Sequence, residues 1–96
     1  MILEMAVLNI KPGSASAFEE AVRKARTLIE ASDGFQRMEL RSCVETENRY
    51  LLLVWWDTLE SHTLGFRQSE RYQEWRAALH GFYDPFPTVE HCAPPL

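Results

Sequence analysis

Residues 50–56 read YLLLVWW, an unbroken apolar run that ends at Asp57. The run is short and rich in aromatic and aliphatic residues, which favours a β-strand over a helix. Successive side chains of a strand point to opposite faces of its sheet, so both faces of this strand are apolar. A strand of this kind must be covered on both faces, and this requirement limits the folds open to the chain more than any other feature.

The remaining patterns predict two helical regions and three further strands. Apolar residues at helical spacing, such as Phe18, Val22 and Ile29, indicate a first helix near 14–32. The second helical region follows Asp57 and is interrupted around GFRQS, after which Ser69 starts a new helix. The strands are predicted over residues 2–10, over the two arms of a hairpin within 35–56, and over TVEHC near the C-terminus.

The predicted element order is β-α-β-β-α-β, which is the order of the ferredoxin-like α+β fold. In that fold, a four-stranded antiparallel sheet carries both helices on one face. The other face of the sheet would expose leucine and tryptophan, and a large exposed apolar patch is typical of an interaction surface. We therefore expect one domain over 1–96, with a core of about 2–92 and a tail of 93–96, that forms a homodimer.

Composition and charge argue against some classes of partner and indicate a cellular location. The formal net charge is −4 and the sequence has no basic run, so neither nucleic acid nor a membrane surface is expected as a partner. No apolar segment approaches membrane-spanning length, and the N-terminus lacks the basic segment of a signal peptide. Cys43 and Cys92 lie far apart without metal-binding spacing, which predicts free thiols and a cytoplasmic protein.

Several motifs together resemble one known family. Pro12 and Gly13 precede a helix that carries Phe18, a strand ends at Trp56, LESHTLGFRQSERYQEWR follows it, and PFPTVEH comes near the end. Over about residues 2–92, the chain resembles the antibiotic biosynthesis monooxygenase (ABM) domain family of the dimeric α+β barrel superfamily. The resemblance implies a small pocket in each subunit, between the sheet and the helices.

The resemblance also implies an activity and argues against another. Some members of the family oxygenate quinol-like or polyketide aromatics without a cofactor, so no metal, flavin or haem is expected. The haem-degrading branch uses an asparagine, a tryptophan and a histidine at positions that look like Ala6, Phe66 and Arg76 here. All three differ, and Asn9 lies several residues from the asparagine position. Haem degradation is therefore disfavoured.

Oxygenation without a cofactor requires a base that ionises the substrate, and histidine titrates near neutral pH. His91 on the closing strand and His62 at the start of the second helical region are the candidate catalytic residues. Each also has a structural interpretation: His62 as a surface or capping residue, and His91 as part of the dimer seam. His80 is expected to have a structural role at a helix end.

Five residues are candidates for binding a small aromatic ligand. They are Trp56, Phe66, Tyr72, Trp75 and Asn9. Aromatic walls with few polar groups are typical of small-molecule sites, although the same residues could simply pack the core. Arg67 and Arg71 are expected to be solvated, and no metal site is expected. Two functions stay open at this point: a monooxygenase of hydroxylated aromatics, and a non-catalytic dimeric module that binds or senses a small molecule.

Overall fold

The computed structural model describes residues 1–96 and contains four strands and two α-helices. Their order is β1 (Ile2–Asn9), α1 (Ala15–Glu30), β2 (Phe35–Ser42), β3 (Arg49–Trp56), a π-helix (Ser61–Phe66), α2 (Glu70–Leu79), a 3₁₀ turn (His80–Phe82) and β4 (Val89–Cys92). The strands form one antiparallel sheet in the order β2-β3-β1-β4. The predicted ferredoxin-like α+β fold is therefore confirmed. No helix is long and apolar enough to span a membrane.

Alternation along the strands separates the sheet into a helix-covered face and an open face. On β3, the even-numbered residues from Tyr50 to Trp56 are at most 6% exposed and pack beneath the helices. On α1, the side chains of Phe18, Val22, Ala25 and Ile29 complete this core at the spacing of one helical face. The helical spacing of α1 and the even-numbered residues of β3 thus supply the buried side chains on this face of the sheet.

The open face consists of Leu3, Met5 and Val7 of β1 and Leu51, Leu53 and Trp55 of β3, which are paired across the two strands. Next to β3, the β2 residues Arg37, Glu39 and Arg41 form a row of ion pairs, and the Arg37 guanidinium lies 4.6 Å from the Trp55 ring centre. An apolar strip with a charged border has the composition of a protein interface, with an apolar centre and a polar rim.

The break predicted in the second helical region is a π-helix. The Arg67 amide donates to the His62 carbonyl oxygen at 3.0 Å, which is the five-residue spacing of a π-turn. Ser69 then caps α2, because its hydroxyl oxygen accepts from the Tyr72 amide at 3.2 Å. The wider π-turn directs the side chains of both His62 and Phe66 into the interior.

Gly34 allows β2 and the π-helix to approach each other. Its φ of +82° lies in the left-handed region, which favours glycine. A Cβ atom at this position would also collide with the Ser61 side chain at the start of the π-helix. An Ala at position 34 would therefore shift the segment that carries His62.

Candidate active site

A cavity of about 340 Å³ lies between the helix-covered face of the sheet and the segment from the π-helix to Pro87. Ten of its 15 lining residues are hydrophobic, including Phe66 and Trp75. Six lining residues have ionisable side chains, including the two tyrosines that also count among the ten: Glu4, His62, Arg67, Tyr72, His80 and Tyr83. Apolar walls with a few converging polar groups are typical of a site for a small organic molecule.

Glu4 is the most unusual group in this cavity. It lies on the helix-covered side of β1 and is 5% exposed. Trp56 Nε1 donates to Glu4 Oε1 at 2.9 Å, whereas Oε2 makes no hydrogen bond within the chain. Burial raises the pKa of Glu4 to about 7, against the smaller lowering effects of the Trp56 hydrogen bond and the Arg67 charge. A carboxyl group with this pKa can both accept and release a proton near neutral pH.

His62 connects Glu4 to His91. The His62 ring is 3% exposed and stacks on Trp56, with ring centres 5.3 Å apart and planes inclined by 15°. Its Nδ1 lies 2.8 Å from His91 Nε2, and its Nε2 lies 3.4 Å from Glu4 Oε1. Burial lowers the pKa of His62 to about 3, and the charges of Arg67 and His91 lower it further. His62 is therefore neutral at physiological pH.

The charge state of Glu4 selects the tautomer of a neutral His62. One ring nitrogen of a neutral imidazole donates and the other accepts. When Glu4 is ionised, its carboxylate favours a proton on His62 Nε2, and Nδ1 then accepts from the Nε2–H of His91. Both nitrogens of His62 are then engaged within the chain, so His62 orients Glu4 and leaves the carboxyl group as the available base.

The structure brings three of the predicted ligand-binding residues to the cavity wall, namely Phe66, Tyr72 and Trp75. Trp56 lies behind the wall, where its indole holds Glu4. The expectation for Asn9 needs correction, because the odd-numbered residues of β1 point to the open face. Its side-chain oxygen accepts from Arg49 Nε at 3.0 Å, outside the cavity.

The two predicted bases occupy different positions. His62 lines the cavity, whereas His91 lies beside β1, opposite Glu4 in the strand register, and contacts the cavity only through His62. Two other expectations also change: His80 and Arg67 both line the cavity, although the sequence suggested a structural and a solvated role. Arg67 closes the π-turn through its bond to the His62 carbonyl oxygen, and this turn places Arg67 on the cavity side.

Glu4 was missed at the sequence level, although a signal was present. Ala6 and Leu8 share its face of β1, and both are 2% exposed. Glu4 alternates along β1 with these two core residues, so the strand pattern places its carboxylate in the interior. Acidic residues are seldom fully buried unless they are paired. Such an exception indicates a functional group.

Comparison with known proteins assigns the chain to a family. The family model for antibiotic biosynthesis monooxygenases matches residues 1–78. The chain belongs to the antibiotic biosynthesis monooxygenase family. The Bacillus subtilis protein YczJ, itself uncharacterized, is 53% identical over 91 residues, which is 95% of this chain and 96% of that protein.

Solved structures of similar proteins share the whole fold. A Bordetella bronchiseptica protein assigned to the same family is 35% identical, with a TM-score of 0.93 over 99% of this chain and 97% of that one. SnoaB, a cofactor-independent oxygenase from Streptomyces nogalater, is 16% identical, with a TM-score of 0.79 over 99% and 94% of the two chains. The likeness to SnoaB shows the shared fold alone.

The raised pKa of Glu4 predicts a pH dependence of stability. Between the ordinary value of 4.5 and about 7, the folded protein holds a proton that the unfolded chain releases. The stability that this proton contributes is complete below pH 4.5 and is lost as the pH rises through 7. Relative to a Glu4→Gln variant, the wild type should lose up to about 3 kcal/mol of unfolding free energy over this interval, at about 1.4 kcal/mol per pKa unit.

Urea unfolding of both proteins at pH 4.5 and pH 8, at one protein concentration, measures this difference. The lowered pKa of His62 opposes the effect in each protein, because His62 stability is lost as the pH falls. That contribution cancels in the comparison. If the two proteins show parallel pH dependences, the Glu4 carboxyl does not have a raised pKa.

Proposed function

We propose that this protein is a monooxygenase that oxidises a small hydroxylated aromatic of the quinol or polyketide type, without metal, flavin or haem. The carrying observation is the Glu4 carboxyl, which lies in an aromatic-walled cavity with a pKa near 7 and a free Oε2 atom. Family membership supports an oxygenase in general, and the chemistry of the cavity supports this substrate class.

Glu4 removes the substrate proton in this mechanism. A phenol or enol is a poor electron donor until it ionises, and a base with a pKa near the working pH is the most effective one. The resulting anion reacts with dioxygen. For an anthrone, the methylene carbon gains one oxygen atom and loses two hydrogens, and the second oxygen atom leaves as water. The substrate supplies all four electrons, so the reaction needs no external reductant.

The remaining residues of the site have supporting roles. Trp56 and His62 fix Oε1 of Glu4, which leaves Oε2 directed to the substrate. The hydrogen bond between His91 Nε2 and His62 Nδ1 holds the His62 ring in place. Phe66 and Trp75 meet nearly edge to face, with ring centres 5.9 Å apart, and form an apolar wall that excludes water from the anion.

We further propose that the protein functions as a homodimer in the cytoplasm. The open face offers six apolar side chains on the two central strands, and a second copy of the same sheet would cover them. Both cysteines are free, which suits a reducing compartment. No other macromolecular partner is required for the proposed reaction.

Oxygen uptake with a panel of quinols and anthrones, run beside thermal shift with the same compounds, tests the function. We expect at least one compound to raise the melting temperature and to support enzyme-dependent uptake in the presence of a metal chelator. A shift without uptake would identify a binding or sensing module and contradict the oxygenase. Absence of both effects across the panel would contradict the substrate class.

A further inference from the structure

Arg67 presents a positive charge to the cavity without a partner from the chain. Its guanidinium takes part in none of the five ion pairs of the structure, and the bond to the His62 carbonyl oxygen is donated by the backbone amide of Arg67. Its charge nevertheless acts on Glu4, His62 and His91 and lowers the pKa of each of them. Arg67 therefore lies close enough to the Glu4 end of the cavity to influence an ion formed there.

The other ionisable groups of the cavity do not add a second positive charge. Burial lowers the pKa values of His62 and His80, so both imidazoles are neutral at pH 7. Burial raises the pKa of Tyr83, which keeps its hydroxyl protonated. Around neutral pH, the cavity thus contains one fixed cation, Arg67, and one titrating acid, Glu4.

We propose that Arg67 is the counter-ion of the bound ligand, and that the cavity takes up phenols or enols with one acidic hydroxyl and holds them as the anion. This inference rests on the same site as the proposed function but requires no reaction with oxygen. When the hydroxyl O–H bond breaks, its proton moves to Glu4 Oε2 and the electron pair stays on the ligand oxygen. The negative charge passes from Glu4 to the ligand, and the net charge of the site does not change.

The charge balance also defines which ligands are rejected. A ligand with a carboxylate in addition to its hydroxyl would bring a second negative charge into a cavity that offers one cation. Burying an unpaired charge is costly, so such ligands should bind weakly. A ligand without an acidic hydroxyl cannot give a proton to Glu4 and offers Arg67 no negative charge, so it should also bind less well.

Anaerobic titration of the protein with 4-nitrophenol tests the proposal, because the phenolate absorbs visible light and the phenol does not. Just below the pKa of free 4-nitrophenol, where Glu4 is still partly ionised, we expect binding to increase the phenolate band. In Arg67→Gln, the pKa of the bound phenol should rise by roughly 1–3 units, the usual effect of losing a nearby opposite charge. Arg67→Lys should keep most of the band, and Arg23→Gln, on the exposed face of α1, should be unchanged.

A comparison of ligands on the wild-type protein gives a test that needs no variant. The methyl ether 4-nitroanisole has no acidic hydroxyl and should bind at least about tenfold more weakly than 4-nitrophenol. Equal affinity, no increase of the phenolate band on binding, or an unchanged increase in Arg67→Gln would each overturn the proposal. Because oxygen is excluded, these outcomes are independent of turnover, and a protein that forms the phenolate without oxygen uptake would contradict the proposed function alone.

Discussion

Replacing Glu4 with Gln should lower the rate of oxygenation by roughly 10²–10⁴-fold, the usual contribution of a positioned base. The Gln side chain has nearly the same shape and can still accept the Trp56 hydrogen bond through its amide oxygen. It cannot take a proton from the substrate. The variant should therefore bind the ligand and remain folded while losing the chemical step.

Oxygen uptake at saturating substrate across pH 5–9 measures this effect. The wild-type rate should rise with pH along a limb near 7, where the Glu4 carboxyl ionises, and this limb should be absent in Glu4→Gln. Glu19→Gln is a suitable control, because Glu19 also hydrogen-bonds an aromatic residue, Tyr50, but lies outside the cavity. A Glu4→Gln protein with the wild-type rate would exclude Glu4 as the base.

Histidine variants separate the Glu4 mechanism from one in which histidine is the base. If His62 and His91 only orient Glu4, then His91→Ala should lower the rate less than Glu4→Gln and keep a pH limb. If a histidine is the base, Glu4→Gln should retain most of the activity, and the histidine variants should lose 10²–10⁴-fold. The pH profile distinguishes the two mechanisms, because the pKa of His62 lies far below neutral.

Placing charges on the open face should produce a folded monomer. In Leu51→Glu/Leu53→Glu, two like charges would lie in the centre of the proposed interface of each subunit, and unpaired charges in such a position cost several kcal/mol. Sedimentation velocity at micromolar concentration should show the wild type as a dimer and the variant as a monomer. Circular dichroism should show that the fold is unchanged.

Two further double variants define the surface. Leu59→Glu/Leu64→Glu replaces two exposed leucines outside the sheet and should remain dimeric. Leu52→Glu/Val54→Glu places charges on the helix-covered face, where the side chains are 6% and 0% exposed, and should prevent folding. A monomeric wild type would contradict the proposed interface.

The sequence predicted the fold well because hydrophobic periodicity carries most of the information. The two apolar faces of β3 required cover on both sides, and Gly65 and Ser69 marked the interruption that became the π-helix. The bounds of α1, Ala15–Glu30, lie within the predicted 14–32. These features depend on local pattern, which a single sequence contains.

The residues of the site come together through strand register, which local sequence pattern does not predict. Glu4 faces Val54 on one side and His91 on the other, and the indole of Trp56 reaches it from two residues along β3. The π-turn then adds His62 and Arg67. Residues from β1, β3, the π-helix and β4 thus meet at one carboxyl group, and only the tertiary structure shows that they do.

The most direct test of the proposed oxygenase is a reaction under ¹⁸O₂ with a substrate from the panel, in the presence of a metal chelator and with no flavin or haem added. One labelled oxygen atom should appear in the product for each turnover, and incorporation should fall by at least about 100-fold in Glu4→Gln. A product without ¹⁸O, or incorporation that requires an added metal, flavin or haem, would contradict oxygenation by this protein alone.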